Sequence, residues 1–423
     1  MTTGERVAIH GVAHGGDGVG RSEGDPRTWL VTGALPGEVV LAARSETRAR
    51  MIRGRTLSVV TPSGGRVVAP CSLEGTCGGC GWQYVEPSAQ AALKREIVAG
   101  LLRRVEHPEI TIVASPTALG YRRRARVHFE HTKSGLVLGF MGRGGVVDAP
   151  DCLVLDAPLR HAYAQMRGFA DLLPAHGEIH GISDGSRAVL GIAAASDAIG
   201  QKVPLPPLRG DPAILKNALD DVLVGVVAPG GSVGESMLTI DPAGPEDMSL
   251  RIGPFAFAQA QAAQNAELVA HVVAAAGTGY RRGLELFAGS GNFTRGLAGG
   301  CRVLEAVELD PGGASNLQML ASRLAVRGSK VQVRRETVAA TLARSAAAGE
   351  KYDLVVLDPP RGGLGMKAAG DLAKIATGRI VYVSCDPATM VRDLEVLKRR
   401  VVGVTVFDMM PMTPDVEVVV LLD

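Results

Sequence analysis

From Gly253 to the end of the sequence, short apolar runs alternate with segments of helical periodicity. This alternation constrains the fold most, because strands separated by helices pair in parallel and the helices cover both faces of the sheet. We therefore predict a doubly wound parallel sheet. The predicted strands are 284–287, 302–308, 331–334, 353–357, 379–383, 404–409 and 416–422, and the predicted helices are 259–275, 291–297, 311–326, 338–347, 367–375 and 387–397.

The first predicted strand of this region leads into a glycine loop, residues 285–294 (ELFAGSGNFT). Glycines at a helix start let a ligand lie against backbone N–H groups. Glu308 ends the next strand about twenty residues later, where a carboxylate can accept hydrogen bonds from both ribose hydroxyls. Thr294 stands where a dinucleotide fingerprint has its third glycine. The two features predict a nucleoside-containing cofactor and leave NAD and S-adenosylmethionine open.

Later strands also end in reactive side chains, at the edge where α/β sheets place their sites. The fourth strand ends in residues 357–363 (LDPPRGG) and the fifth in residues 384–387 (SCDP). Cys385 therefore precedes a predicted helix, whose dipole can stabilise a thiolate, although a lone cysteine is often just a buried apolar residue. Glu417 begins the last apolar run and is either a general base or a solvent-facing strand residue. Cys301 is predicted to be a core residue.

The first 60 residues contain five short apolar runs separated by glycine-rich turns, which predict a small β-barrel. The whole chain is nearly neutral, with 45 Lys and Arg against 43 Asp and Glu. Residues 1–150, however, carry 19 basic and 13 acidic side chains, and residues 41–66 carry six Arg and one Glu. A polyanion such as RNA could dock there, and a solvated arginine-rich face is the alternative.

Four cysteines predict a metal site. Cys71, Cys77 and Cys80 lie within ten residues, and Cys152 is the nearest remaining cysteine. The sequence has no apolar signal segment and no run of transmembrane length, so we predict a cytoplasmic, reducing location. Clustered thiols there favour metal binding over disulfides. The residues alone leave structural zinc and a [4Fe–4S] cluster open.

The middle of the chain mixes the two kinds of pattern. Residues 88–105 predict an amphipathic helix, residues 136–140 and 188–193 strands, residues 159–173 a helix and residues 203–212 a surface loop. Residues 121–126 (YRRRAR) place four Arg beside a Tyr, which could grip phosphates and stack a base. A strand with one charged face is the alternative.

Three motifs in this order, 358–361 (DPPR), 384–387 (SCDP) and 411–417 (PMTPDVE), follow a glycine-loop strand and resemble the RNA uridine carbon-5 methyltransferases. The resemblance covers essentially the whole chain, and residues 31–38 (VTGALPGE) resemble part of a TRAM domain. It implies an α/β fold: a class I, Rossmann-like methyltransferase sheet with an N-terminal OB-like β-barrel and a cluster-bearing α+β central domain. The implied domains are 1–60 (RNA-binding barrel), 61–252 (central domain, whose helix 88–105 can pack on the catalytic domain) and 253–423 (methyltransferase), with an antiparallel hairpin closing the sheet.

Site residues follow from the resemblance motif by motif. Cys385 matches the nucleophile and Glu417 the proton acceptor. S-adenosylmethionine contacts match Gln259, Phe287, Asn292, Glu308 and Asp358, and the [4Fe–4S] ligands of the ribosomal-RNA branch match Cys71, Cys77, Cys80 and Cys152. The chain departs from the pattern at Asp386 (usually Asn), Gln261 (Asn) and Asp415 (commonly His). An ionised Asp386 would raise the pKa of the neighbouring thiol.

The resemblance implies methyl transfer from S-adenosylmethionine to carbon 5 of a uridine in RNA through a covalent Cys385 adduct. It favours 23S ribosomal RNA, with a transfer-RNA T-loop uridine as the alternative, and it implies no membrane and no obligate protein partner. An iron–sulfur oxidoreductase using NAD would explain the cysteines and the glycine loop but not Cys385 with Glu417. An inactive RNA-binding relative would lack the catalytic groups, and RNA cytosine methylation usually needs a second catalytic cysteine.

Overall fold

A computed structural model of the chain describes residues 4–194, 208–241 and 248–423. The described residues form a closed five-stranded barrel, a seven-stranded sheet, an eight-stranded sheet and a two-stranded hairpin. No described helix is both long and apolar enough to span a membrane. The strands are β1 Glu5–Val12, β2 Gly18–Ser22, β3 Thr28–Thr32, β4 Val39–Thr47, β5 Met51–Thr61, β6 Ile110–Val113, β7 Arg124–Thr132, β8 Gly135–Gly142, β9 Gly145–Asp148, β10 His176–Ser183, β11 Ala188–Ala193, β12 Leu223–Ala228, β13 Gly231–Gly234, β14 Leu238–Ile240, β15 Leu250–Ile252, β16 Tyr280–Leu286, β17 Cys301–Val307, β18 Val331–Arg334, β19 Tyr352–Leu357, β20 Ala376–Ser384, β21 Val401–Phe407 and β22 Glu417–Leu422. The α-helices are α1 Pro87–Leu102, α2 Ala157–Arg167, α3 Ala262–Ala276, α4 Thr294–Leu297, α5 Pro311–Val326, α6 Val338–Ala347, α7 Met366–Ile375 and α8 Pro387–Leu397.

The N-terminal barrel closes in the order β1-β2-β3-β5-β4. Alternate side chains of its strands point inward and are fully buried, among them Val7, Trp29, Val31 and Ile52. Closure pairs every strand on both sides, so the barrel has no free edge. The barrel expected from the short apolar runs is therefore present.

The central region is built on the seven-stranded sheet, in the order β13-β12-β11-β10-β7-β8-β9. Helix α2 buries Leu159 and Met166 in the core beneath this sheet. The helix expected over 159–173 ends earlier, at Gly168, and a 3₁₀ turn follows at Ala170–Leu172. Residues 203–207 of the expected surface loop lie outside the described residues.

The C-terminal region has the predicted doubly wound sheet, in the order β18-β17-β16-β19-β20-β22-β21-β6. Strands β16 to β20 pair in parallel, and β22 inserts antiparallel between β20 and β21. Two hydrophobic cores cover its faces. The helix expected over 291–297 is only the single turn α4. The carboxyl ends of β16, β17, β19 and β20 therefore meet at one edge.

A segment from the first third of the chain completes this catalytic sheet. Strand β6 pairs in parallel with β21 across nearly 300 residues of sequence, with Val404 opposite Ile110 and Phe407 opposite Val113. Helix α1 precedes it and buries Val98 in the core on the same face of the sheet. A helix near residues 88–105 was predicted from the sequence, whereas β6 was not.

Candidate active site

The turn that carries Cys385 is fixed by its neighbours. Strand β20 ends at Ser384, whose Oγ accepts a hydrogen bond from the Asp386 backbone N–H at 3.1 Å. Asp386 then caps helix α8, because its Oδ1 accepts from the backbone N–H groups of Ala388 and Thr389 at 3.0 and 3.1 Å. A side-chain cap and Pro387 at the first turn are strong helix-start features. The thiol therefore sits between the end of a central strand and the N-terminus of a helix.

Strand pairing brings Cys385 beside two carboxyl groups. Strand β20 lies between β19 and β22, and Ser384 is opposite Val418, so Glu417 is the antiparallel neighbour of Cys385. Asp358 follows β19 on the other side. Burial raises the pKa of the Cys385 thiol to about 12, and the negative charges of Glu417 and Asp358 add to the effect. The pKa of the free thiol therefore depends on these two partners.

Glu417 is buried, with 5% of its surface exposed. Its Oε1 atom has no hydrogen-bond partner within the part of the chain that the structure describes. Burial raises the pKa of this carboxyl group well above its usual value, and the charges of Asp358 and Asp415 raise it further. An unpaired buried carboxyl oxygen is costly. The burial of Glu417 excludes the alternative of a solvent-facing strand residue.

A cavity opens at the ends of β16 and β19, with Asp358 in its lining. Phe287, in the glycine loop, has φ of +60°, a conformation that non-glycine residues rarely adopt outside functional sites. Gly291 has φ of +97°, and a Cβ there would lie 2.4 Å from Leu320. The lining includes four residues predicted to contact the cofactor, Gln259, Phe287, Asn292 and Asp358.

Glu308, the fifth predicted contact, lies directly behind the loop. Its Oε2 accepts a hydrogen bond from the Gly289 backbone N–H at 2.8 Å, and its Oε1 accepts from the Asp310 N–H at 2.6 Å. Burial also raises the pKa of the Asp358 carboxyl group at the end of the cavity to about 7. The predicted cofactor residues thus all lie at one edge of the sheet.

The four cysteines Cys71, Cys77, Cys80 and Cys152 line a second cavity. The Gly79 backbone N–H donates to Cys77 Sγ at 3.4 Å, a contact that suits a thiolate ligand. In residues 4–194, 208–241 and 248–423, no group of three or more His, Cys, Asp or Glu is placed to hold a metal ion. The metal site expected from these four cysteines therefore stays a prediction.

The chain is similar to known proteins along its whole length. A family model described as tRNA (uracil-5-)-methyltransferase matches residues 242–423. The chain is 31% identical over 446 residues to the 23S rRNA (uracil(1939)-C(5))-methyltransferase RlmD of Pseudomonas putida. This alignment covers 99% of this chain and 93% of the relative. It is 33% identical over 439 residues to the protein of the same name from Alkalilimnicola ehrlichii, covering 97% and 94%. The chain belongs to the RNA (uracil-5-)-methyltransferase family.

A solved structure supports the fold of this family member. The Pyrococcus abyssi tRNA (uracil-54, C5)-methyltransferase in complex with S-adenosyl-L-homocysteine aligns with a TM-score of 0.72 and covers 99% of both chains, at 22% identity. At that identity the match speaks for the fold. The family and the α/β fold class with an N-terminal barrel, both expected from the sequence, are confirmed.

The arginine-rich run of this methyltransferase family member is only partly at the surface, which corrects the expectation for residues 121–126. Tyr121 is buried and donates its hydroxyl hydrogen to the Pro411 carbonyl at 2.9 Å. Arg123 is 4% exposed and pairs with Asp241 at 2.5 and 2.9 Å. Arg126, by contrast, has 52% of its side chain exposed beside Glu178. Burial therefore removes Tyr121 and Arg123 from any RNA-gripping surface.

Sequence reasoning missed a buried network behind the cofactor cavity. Asn292 and Asn265 exchange side-chain amide hydrogen bonds at 2.8 and 3.0 Å, and Asn265 also donates to Asp241 at 3.0 Å. Arg123 donates to the Gln259 carbonyl at 3.1 Å. The Asn292 amide group is therefore hydrogen-bonded to other protein groups, which leaves its backbone and Cβ for the cavity wall. No local pattern marks Asp241 or Asn265 as members of this network.

Proposed function

We propose that this chain transfers a methyl group from S-adenosylmethionine to carbon 5 of a uridine in RNA. The observation that carries the proposal is the position of Cys385, directly after the Ser384–Val418 pair and hence beside Glu417, whose buried Oε1 has no hydrogen-bond partner among the described residues. Asp358, which follows the strand on the other side of β20, lines the glycine-loop cavity. A nucleophile and a base on one side of a nucleoside pocket match the needs of this reaction. An NAD-linked oxidoreductase would leave both groups without a role.

Carbon 5 of uracil is too weak a nucleophile to accept a methyl group unaided. In the proposed reaction the Cys385 thiolate adds to carbon 6, which turns the ring into an enolate that is nucleophilic at carbon 5. When bound, S-adenosylmethionine would supply an electrophilic methyl group to carbon 5, and its sulfur would keep the electron pair of the broken S–CH3 bond as S-adenosylhomocysteine leaves. Glu417 then takes the carbon-5 proton, the electron pair reforms the ring double bond, and Cys385 leaves.

The cavity residues would hold the cofactor by ordinary contacts. The loop after β16 would present backbone N–H groups, Glu308 would accept hydrogen bonds from the ribose hydroxyls, and Asp358 would offer a carboxyl group beside the cofactor. A positive sulfonium nearby favours ionised carboxylates and a thiolate, so cofactor binding would lower the raised pKa values of Asp358 and Cys385. The target base must leave its stack to reach Cys385.

Ribosomal RNA is the proposed substrate class, because the relatives aligned over the full chain carry the name of a 23S rRNA uracil-C5 enzyme. The test is methyl transfer from labelled S-adenosylmethionine to 23S rRNA and tRNA transcripts, followed by mapping of 5-methyluridine. We expect label in 23S rRNA at a rate at least tenfold above that for tRNA. Label confined to a tRNA T-loop would overturn the rRNA assignment, and no label in either RNA would overturn the function.

We also propose a three-part organisation: barrel 1–60, central domain 61–252 and methyltransferase domain 253–423. Within the stretch 61–252, α1 and β6 pack on and extend the methyltransferase sheet. Cys71, Cys77, Cys80 and Cys152 would ligate a [4Fe–4S] cluster, in line with their shared cavity and the N–H to sulfur contact at Cys77. Four cysteine thiolates are the usual ligand set for such a cluster.

A cluster at this site makes a specific prediction. Protein purified without oxygen is expected to hold about four iron atoms per chain and to absorb visible light. Cys152→Ser should lose most of this iron and colour, because one of the four ligands is gone. Cys301→Ala is the matched control, since Cys301 is buried on β17 in the other sheet and should leave iron content unchanged. Stoichiometric zinc in the native protein would favour the zinc alternative instead.

A further inference from the structure

The segment that delivers Glu417 is held by the N-terminal half of the chain. Residues 408–416, here called the base loop, connect β21 to β22 and end at Glu417. Gln90, fully buried on α1, accepts a hydrogen bond from the Met412 backbone N–H at 2.7 Å. The same side chain donates to the Val85 carbonyl at 3.0 Å. One glutamine therefore joins the base loop to the segment before α1.

Three consecutive carbonyls of the base loop also accept hydrogen bonds from this half of the chain. Lys94 donates to the Met410 carbonyl at 2.9 Å and pairs with the Asp408 carboxylate at 2.5 Å. Tyr121 donates to the Pro411 carbonyl at 2.9 Å, and the Trp82 backbone N–H donates to the Met412 carbonyl at 2.9 Å. All three donor residues are buried.

Met412 shows that these contacts impose a conformation on the loop. Its φ is +65°, in the left-handed region that residues with side chains rarely adopt. Such a conformation persists only where surrounding contacts over-determine it. Here the contacts are the two backbone hydrogen bonds to Gln90 and Trp82, and Glu417 follows five residues later. Loss of one contact should let the loop relax and move the carboxyl group.

We propose that Gln90, together with Lys94, Trp82 and Tyr121, is a positioning residue for the catalytic base: this N-terminal clamp fixes the base loop so that Glu417 faces the Cys385 adduct. The inference rests on the proposed function, because it assigns the clamp to the step in which Glu417 removes the carbon-5 proton. The clamp affects the release of the adduct and not its formation, because the Cys385 turn is held separately by Ser384 and α8.

The cysteine cavity forms one side of the clamp. Cys80 lies two residues before Trp82, and Cys80 and Cys152 pack against a small core of Tyr121, Val154 and Met412. A ligand that fixes the cysteine side chains of this cavity would therefore also fix the position of Met412. On this basis the cavity is expected to influence catalysis through the position of Glu417, without contact between the cavity and the reacting atoms.

The test compares formation and release of the RNA adduct in Gln90→Met, which keeps the volume and loses the hydrogen bonds of the Gln90 amide to Met412, Val85 and Trp82. We expect trapping by 5-fluorouridine RNA within about twofold of native, turnover on uridine RNA at least tenfold lower, and accumulation of a denaturant-stable methylated adduct. Tyr121→Phe removes only the hydrogen bond to Pro411. It should show the same pattern with turnover lowered by roughly two- to fivefold. If Gln90→Met does not fold, this milder variant decides the question.

Trp82 provides a readout that is independent of activity. The chain has two tryptophans, so a Trp29→Phe background leaves Trp82, which contacts the base loop, as the only reporter. Gln90→Met in that background should shift its emission to longer wavelength as the loop loosens. Cys80→Ala should shift the emission and the adduct pattern in the same direction.

Met166→Ala is the control for general destabilisation, because Met166 is buried in the core around α2, away from the base loop. It should lower Tm without changing the ratio of trapping to turnover. Parallel loss of trapping and turnover in Gln90→Met, or native turnover in both clamp variants, would overturn the clamp while leaving the proposed function intact. A native chain that forms no adduct would instead refute the proposed function, and the clamp with it.

Discussion

Cys385→Ala is expected to abolish methyl transfer, with a loss of at least about 10⁴-fold in turnover, since removing a covalent nucleophile leaves only binding and positioning. Without the thiol, carbon 6 of uracil receives no electron pair and carbon 5 stays unreactive toward the methyl group. Binding of S-adenosylmethionine should change little, because Cys385 is not among the residues that line the cofactor cavity. The measurements are labelled-methyl incorporation, cofactor titration and gel-stable adduct with 5-fluorouridine RNA.

The chain offers a matched control for this variant. Cys301 is a buried cysteine on β17 of the same sheet, packed against Gly283 and far in sequence from the motifs. Cys301→Ala should keep turnover and trapping within about twofold of native, because it removes one buried thiol without touching the site. A Cys385→Ala protein that still forms the fluorouridine adduct would show that another residue is the nucleophile.

Sequence periodicity predicts the architecture of the catalytic region, but it does not identify every strand that joins the sheet. Strands separated by helices predict a parallel sheet, and the two closing runs joined by a short turn predict the antiparallel hairpin of β21 and β22. Strand β6 could not be assigned, because four residues carry no information about which distant edge they join. Its partner β21 is nearly 300 residues away, and only the assembled sheet shows that an edge is open there.

The candidate reactive groups could be located because each lies at one end of a strand. Asp358 and Cys385 follow β19 and β20, Glu417 begins β22, and parallel or antiparallel pairing brings these ends together. Gln90 and Lys94 lack such a signal: in the sequence they are polar residues of an amphipathic helix, and their role depends on contacts with Met412 and Asp408. Long-range hydrogen bonds of this kind are invisible to local patterns.

Asp386 illustrates the same limit next to the nucleophile. The sequence placed a carboxylate beside the thiol and suggested that its charge would raise the pKa of Cys385. In the structure Asp386 Oδ1 is engaged by two backbone N–H groups at the start of α8. Burial is the largest cause of the raised pKa of Cys385, followed by Glu417 and Asp358. The departure from Asn thus keeps the helix cap, since either side chain can accept these bonds.

Glu417→Gln is expected to block the last step of the reaction, the release of Cys385, and to leave the earlier steps intact. Glutamine keeps the size of the side chain but cannot accept the carbon-5 proton, so Cys385 cannot leave and the methylated RNA–protein adduct should accumulate. Turnover should fall by about 10²- to 10⁴-fold, as is usual for loss of a general base. The accumulated adduct should carry labelled methyl, which separates it from an adduct formed before methyl transfer.

The pH dependence of adduct release tests the same assignment. Burial raises the folded-state pKa of Glu417, so the group keeps its proton to higher pH than an ordinary glutamate and acts as a base only above that raised pKa. Release of the native adduct should therefore quicken as pH rises through the raised pKa and then level off, whereas the residual release in Glu417→Gln should show no such step. Glu395→Gln, on helix α8 with its side chain exposed, is the control for removal of one carboxylate. If Glu417→Gln turned over within tenfold of native, or lost 5-fluorouridine trapping along with turnover, the proton would have to leave by another route, and the unpartnered buried oxygen of Glu417 would need a different explanation.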